Sequence, residues 1–260
     1  MYTVTGRTAR IRTDSCRHIL VFGDLHGDHA ALSAGLARAD REDLLVFLGD
    51  YADRGPQGVE VIETVHDLLL RHPERVIALK GNHEDYSASG DPRFHPCDLV
   101  AEARRKRGSW DAFFPRFREF VSRLLLTAIV PDYALFVHGG ISSRLTSPEQ
   151  LVDPDEAIET ACLWNDPVPT PGEHVSLRGI GRAFGPDISR AVCQALSVRY
   201  IVRSHEPRKA SRGPCIEHDG RVITTNATSW YGGKPFLVRI PTAHGEWPDL
   251  AADTAVEYLV

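Results

Sequence analysis

Along the chain, short apolar runs alternate with longer stretches in which apolar residues return every three or four positions, the alternation of an α/β domain. The runs at 19–22, 44–48, 76–79, 134–137 and 200–202, with two more at 222–225 and 236–240, predict strands. Stretches at 29–39, 58–71, 98–107, 110–126, 148–162 and 186–198 predict helices. Glycine, proline and polar residues crowd 86–96, 166–172 and 174–185, which read as irregular surface segments. No repeat or low-complexity block interrupts the pattern. The 260 residues therefore read as one domain, 1–260, with the helical pair at 98–126 as a cap over one end of the sheet.

The chemistry collects where the strands end. The first run leads into Gly23-Asp24-Leu25-His26-Gly27, the second into Gly49-Asp50-Tyr51-Ala52-Asp53-Arg54-Gly55 and the third into Lys80-Gly81-Asn82-His83-Glu84. The fourth leads into His138-Gly139-Gly140 and the fifth into Arg203-Ser204-His205. Ligands of open α/β sheets sit beyond the carboxyl ends of strands, so Asp24, His26, Asp50, Asn82, His138 and His205 can converge although they lie far apart in sequence. Two carboxylates, one amide oxygen and three imidazoles suit two divalent transition metals, manganese, iron or zinc rather than calcium or magnesium. One carboxylate has to bridge cations roughly 3.5–4 Å apart, and a water between them ionises near neutral pH.

The neighbouring residues suit phosphoryl transfer. Arg54, Arg203 and Arg178, the last opening a glycine-rich segment that runs to Gly185, offer paired planar donors for phosphate oxygens. His83 can protonate a departing alkoxide, and Asp53 can hold that imidazole and favour its protonated form. Asp166 reads either as an orienting group in the site or as a turn cap before Pro167.

Composition narrows the partners. Lysine and arginine number 30 against 35 aspartates and glutamates, a net charge of −5 that opposes general attraction to nucleic acid or anionic membranes. Any anion site must be local. No apolar run approaches the length of a membrane span and no apolar core of a signal peptide follows Arg7, Arg10 and Arg12, so a cytoplasmic location is expected. Cys16, Cys97, Cys162, Cys193 and Cys215 are odd in number and never form C-x-x-C, which predicts neither a disulfide framework nor a zinc-thiolate site.

Taken in order, these segments resemble the metal-dependent phosphoprotein phosphatase family, whose pattern runs GDxHG, GDxxDRG, GNHE, HGG and R-x-H. Leu163-Trp164-Asn165-Asp166-Pro167 and the segment from Arg178 to Gly185 are similar to two further family segments. The resemblance implies a calcineurin-like metallophosphoesterase fold, an αβ-β-αβ sandwich of two mixed β-sheets flanked by helices. It also implies that Asp24, His26 and Asp50 hold one metal and that Asp50, Asn82, His138 and His205 hold the other. His83 is then the general acid with Asp53 as its partner, and Arg54, Arg178 and Arg203 bind phosphate. Where well-known eukaryotic members carry S-A-P-N-Y-C-G, this chain has Asn226 to Gly233, and Tyr231 is matched to the family's active-site tyrosine.

The function so implied is dephosphorylation of serine and threonine in proteins, with a metal-bridging hydroxide attacking phosphorus directly and two divalent metals, manganese foremost, as cofactors. A phosphorylated protein or peptide is the expected partner, with no nucleic acid and no membrane; the sequence does not set the oligomeric state. Relatives that split diadenosine tetraphosphate typically lack the second aspartate of GDxxDRG and carry GNHD, so Asp53 and Glu84 favour the protein-phosphatase branch. Small phosphate esters are a further alternative. The rival of another class is an inactive binding module, whose signature would be a lost ligand or a broken His83–Asp53 pair.

Overall fold

A computed structural model describes residues 1–242, 247–252 and 255–259. The chain opens with the hairpin of β1 (Tyr2–Thr5) and β2 (Thr8–Ile11), then runs through β3 (His18–Phe22), α1 (His29–Leu36), β4 (Leu44–Phe47), α2 (Gly58–Arg71) and β5 (Val76–Ala78). Helices α3 (Leu99–Arg107) and α4 (Trp110–Ser122) precede the hairpin of β6 (Thr127–Val130) and β7 (Ala134–Val137). Then come α5 (Glu149–Val152), α6 (Glu156–Trp164), β8 (Asp166–Pro167), β9 (Glu173–Val175), β10 (Arg182–Phe184) and α7 (Pro186–Ala195). The remainder is β11 (Tyr200–Arg203), β12 (Cys215–Glu217), β13 (Val222–Thr224), β14 (Phe236–Pro241) and β15 (Val256–Tyr258).

Two mixed sheets carry the fold. One has the order β15-β14-β3-β4-β5, with β3, β4 and β5 parallel and β14 antiparallel to β3. The other has the order β1-β2-β6-β7-β11-β13-β12 and joins parallel pairs such as β7–β11 to antiparallel ones such as β6–β7. Side chains alternate across each strand, so both faces of both sheets must be covered by apolar partners. Ile19, Val21, Leu44 and Val46 face the second sheet and pack with Ala128, Val130, Phe136, Val202 and Ile223. Leu20, Phe22, Leu45 and Phe47 turn the other way, onto Ala31, Val61, Leu99 and Phe117 of α1 to α4. On the far side, Leu135, Val137 and Ile201 pack with Ile158 and Val192 of α6 and α7. Helices, sheet, sheet and helices thus form the αβ-β-αβ sandwich that the sequence resemblance implies. Among the described residues no helix is long and apolar enough to cross a membrane.

The differences from the sequence expectation have local causes. The helix expected over 110–126 ends at Ser122, because the fully buried run that follows it forms β6, and an apolar helix end cannot be told from an apolar strand by periodicity. The helix expected over 148–162 breaks at Asp153-Pro154, since proline disfavours helical backbone in the residue before it; Asp155 then restarts α6 by accepting the Ile158 N–H at 2.8 Å. The stretches 166–172 and 174–185, read as irregular, carry a small third sheet of order β8-β10-β9.

The helical pair is tied in through α3, which packs against α2. Glu102 of α3 is buried and accepts the N–H groups of Gly58 (3.1 Å) and Val59 (3.0 Å), two otherwise orphaned donors in the first turn of α2. Replacing Glu102 by alanine should therefore lower the free energy of unfolding by about 2 kcal/mol, as measured by denaturant titration.

Candidate active site

All the strand-end segments meet at one edge of the sandwich. Asp24 and His26 follow β3, Asp50 to Arg54 follow β4, Asn82 and His83 follow β5, His138 follows β7, and His205 follows β11. The backbone is left-handed at His26, Asp50, Asp53, Arg54 and His205, with φ of 43°, 55°, 67°, 69° and 68°. Non-glycine residues rarely adopt this conformation, and strain of this kind concentrates at functional sites. Gly81 shows how closely the loops approach each other: a Cβ there would lie 2.2 Å from Asp50 Oδ1.

The six expected ligand residues are all at most 5 % exposed. They converge on two points that share Asp50. Asp50 Oδ2 lies 3.6 Å from His26 Nε2, which is 3.8 Å from Asp24 Oδ2. Asp50 Oδ1 lies 3.4 Å from His138 Nε2, which is itself 3.0 Å from Asn82 Oδ1 and 3.1 Å from His205 Nδ1. Backbone carbonyls set the two imidazoles: His26 Nδ1 donates to Ala52 O and His138 Nδ1 to Leu48 O, each at 2.9 Å, leaving both Nε2 lone pairs turned inward. Asp24 holds the His205 backbone with Oδ1, at 3.0 Å, while its Oδ2 and His205 Nε2 are buried with no hydrogen-bond partner.

Such a cluster needs cations. Burial holds His26 down at about 4 and pushes His138 and His205 well below the usual imidazole range, so all three are neutral donors. Burial likewise drives the Asp50 carboxyl well above its ordinary value, with the neighbouring Asp24 and Glu84 adding to the rise. A buried carboxylate crowded by others is costly unless positive charge is placed beside it. Neutral imidazoles, an amide oxygen, a shared carboxylate and an orphaned Asp24 oxygen fit a pair of divalent metals.

His83 lies within reach of the first point, since its Nε2 is 4.0 Å from Asp50 Oδ2, and it forms a compact group with His26 and Asp50. Its other nitrogen is committed, because Nδ1 donates to Asp53 Oδ2 at 2.6 Å. Asp24, with a free oxygen, is the better ligand and His83 the better proton carrier. Burial lowers the His83 pKa, but Asp50 and Asp53 outweigh it and raise it to about 9; cations placed among these carboxylates would oppose that rise. Burial raises the Asp53 carboxyl, but the bond and charge of His83 and the N–H groups of Leu99 and Asp98 outweigh this and hold it below its usual value. Those last two bonds reach Asp53 Oδ1 at 2.8 and 2.5 Å, so the start of α3 is fastened to the same carboxylate that orients His83.

A cleft of about 640 Å³ opens over this floor, lined in part by Arg54, Arg178, Arg208 and Tyr231. The Tyr231 ring lies 5.6 Å from the His26 ring, and its hydroxyl accepts the Arg54 Nε–H at 3.0 Å. Arg178 reaches the cleft while donating to Asp166 Oδ2 at 2.6 Å and to His205 O at 3.2 Å.

Arg203 requires a correction. It does not line the cleft; its side chain is fully buried, ion-paired with Asp166 Oδ1 at 2.8 Å and Glu206 Oε2 at 2.6 Å, and it donates to Gly139 O. With its fork thus filled it braces the loops rather than meeting phosphate. Asp166 is more than a turn cap, because its two oxygens hold Arg203 and the cleft-lining Arg178. Sequence reasoning gave Glu84 no role in building the site and missed Arg208 altogether. Glu84, 1 % exposed, accepts the N–H groups of Asp50 and Gly81 at 2.9 Å and of Tyr51 at 3.1 Å, clamping the second loop to the third. Arg208 stands with its guanidinium carbon 5.5 Å over the Tyr231 ring, in a segment without any motif.

Two sheets whose strand ends assemble carboxylates and imidazoles around a shared aspartate define a metal-dependent phosphoesterase, and the family model for calcineurin-like phosphoesterases matches residues 17–209. The chain belongs to that family, which implies a dinuclear divalent metal centre. Among its relatives it is 32 % identical over 251 residues to serine/threonine-protein phosphatase 5 of Arabidopsis thaliana, covering 90 % of this chain and 44 % of that protein. It is 32 % identical over 219 residues to serine/threonine-protein phosphatase T of Schizosaccharomyces pombe, covering 79 % of this chain and 44 % of that one. The chain therefore spans less than half the length of these curated relatives. Its fold is similar to that of a protein serine/threonine phosphatase from Saccharomyces cerevisiae, with a TM-score of 0.80 at 24 % identity, over 98 % of this chain and 82 % of the other.

Glu84 provides a test of how the floor is built. Replacing it by alanine strands three buried N–H donors, at about 1 kcal/mol or more each, so unfolding free energy should fall by roughly 3 kcal/mol or more. Glutamine, which keeps one acceptor oxygen, should cost less in the same denaturant titration.

Proposed function

We propose that this chain is a phosphomonoesterase acting on phosphoserine and phosphothreonine in proteins. The observation that carries the reading is the His83–Asp53 pair, joined at 2.6 Å, beside the shared carboxylate of Asp50. The two named relatives above, both serine/threonine-protein phosphatases, support the same substrate class.

In this reading Asp24, His26 and Asp50 hold one metal, and Asp50, Asn82, His138 and His205 hold the other. When bound, the two cations, manganese with iron or zinc as alternatives, supply Lewis acidity at the phosphoryl oxygens and acidify a water nucleophile. Arg54, Arg178 and Tyr231 bind and orient the phosphoryl group, the arginines through paired N–H donors that match its equatorial oxygens. His83 releases its Nε2 proton to the serine or threonine oxygen as the P–O bond breaks, and the product is the free hydroxyl with inorganic phosphate. Asp53 keeps the imidazole in the orientation and tautomer that place this proton on Nε2, and it stabilises the cation before transfer. Arg203 and Asp166 act behind the site, fixing Arg178.

His83→Asn should lower turnover of a phosphothreonine peptide by about 10²–10⁴-fold while metal analysis still finds two ions per chain. Full turnover by that variant removes His83 from the mechanism. Asp50→Asn should instead lose metal, and a variant that still binds two ions tightly rejects Asp50 as the shared ligand. The substrate class is tested by comparing the manganese-loaded protein on phosphothreonine peptide, phosphotyrosine peptide and diadenosine tetraphosphate. Preference for the dinucleotide replaces the proposed function with nucleotide hydrolysis.

A further inference from the structure

Most charged groups at the cleft mouth already have partners. Arg178 is paired with Asp166, and Lys209 is held by Glu206 at 3.1 Å and by Glu217 at 2.9 Å. Glu206 in turn is engaged by Arg203. Arg208 differs: it is exposed, it lines the cleft, and among the described residues no carboxylate pairs with its guanidinium. It is nonetheless not loose, because it lies over the face of Tyr231 at 5.5 Å, a cation–π placement that orients the fork without neutralising it.

Tyr231 thereby spaces two cations. Arg54 is bonded to its hydroxyl, next to the metal-ligand floor, and Arg208, from the segment after β11, lies over its ring. The same ring is 5.6 Å from the His26 ring, so one aromatic side chain touches both the ligand floor and Arg208. An exposed guanidinium lining the cleft beside Tyr231 is placed to meet substrate side chains that flank the phosphorylated residue.

We propose that Arg208 is a specificity-determining residue that binds a carboxylate, glutamate or aspartate, flanking the phosphorylated residue of the substrate. This rests on the phosphoserine/phosphothreonine reading above. The chain as a whole carries −5, so an acidic substrate needs a local cation to offset general repulsion, and an arginine that no carboxylate pairs with among the described residues supplies it. Arginine is suited to the task because its planar fork matches a carboxylate with two parallel bonds.

The test uses two phosphothreonine peptides that differ only in having glutamate or alanine at the two positions on each side of the phosphothreonine. Manganese-loaded wild type is compared with Arg208→Lys, Arg208→Ala and Arg208→Glu, and the readout is the ratio of kcat/KM for the acidic peptide over the alanine peptide. That ratio cancels any general loss of folded or metal-loaded enzyme. Wild type should favour the acidic peptide about three- to fivefold at low salt, through KM, with the preference shrinking as salt rises. The lysine variant should keep part of the preference, the alanine variant should bring the ratio near one, and the glutamate variant should take it below one. A wild-type ratio of one, or a ratio unchanged by Arg208→Glu, overturns the proposal. Should neither peptide be hydrolysed while para-nitrophenyl phosphate is, the serine/threonine reading fails separately, and the peptides then serve as competitive inhibitors of that ester. Tighter inhibition by the acidic peptide, abolished in Arg208→Glu, upholds the role of Arg208, and equal inhibition rejects it. A defect of Arg208→Glu confined to diadenosine tetraphosphate, with the peptide ratio at one, rejects it in favour of a second phosphate.

Discussion

The Asp50 carboxylate is the constraint around which this end of the molecule is arranged. It is 2 % exposed, turns one oxygen toward His26 and the other toward His138, and accepts the His83 backbone N–H at 3.0 Å. Its own backbone is held left-handed by Glu84 on the N–H side and by the amides of Leu25 and His26 on the carbonyl side. A carboxylate in such surroundings stays ionised only where cations join it. The strained loops, the closely set glycines and the imidazoles fixed by carbonyls all serve to hold donors around that one group.

A second tier of carboxylates keeps the first in place. Asp53 links His83 to the start of α3, Glu102 links α3 to the start of α2, and Asp166 links a cleft arginine to a buried one. Each accepts backbone or guanidinium N–H groups that would otherwise be stranded on desolvation. The helical pair beyond residue 98 is accordingly connected to His83 through two hydrogen bonds at Asp53 Oδ1 as well as by packing.

Much of this was legible in the sequence because metal and phosphate chemistry restricts residue type at the turn after each strand. Asp24, His26, Asp50, Asn82, His138 and His205 could be singled out without coordinates, as could His83 and Asp53. Arg203 misled because adjacency to a ligand says nothing about direction. It is the last residue of β11 and its side chain runs inward, whereas the chain turns left-handed at His205 to face the cleft. Arg208 was invisible for the opposite reason: what marks it is a ring contributed by a loop more than twenty residues away, and no local pattern encodes that contact. Strand β6 was hidden by the apolar end of the helix before it, while the break before α6 was written in Asp153-Pro154-Asp155.

The central position of β3 also bears on the order in which the protein is made. The turn after that strand carries the first two candidate ligands, and one of the strand's two neighbours is β14, encoded more than 200 residues later. During synthesis, β3 therefore waits as an open edge bearing Ile19 and Val21 until β14 has left the ribosome. Pairings of this range form slowly, and an exposed apolar edge is a template for association with other chains. The nascent protein is thus most vulnerable to aggregation at the strand on which its chemistry begins.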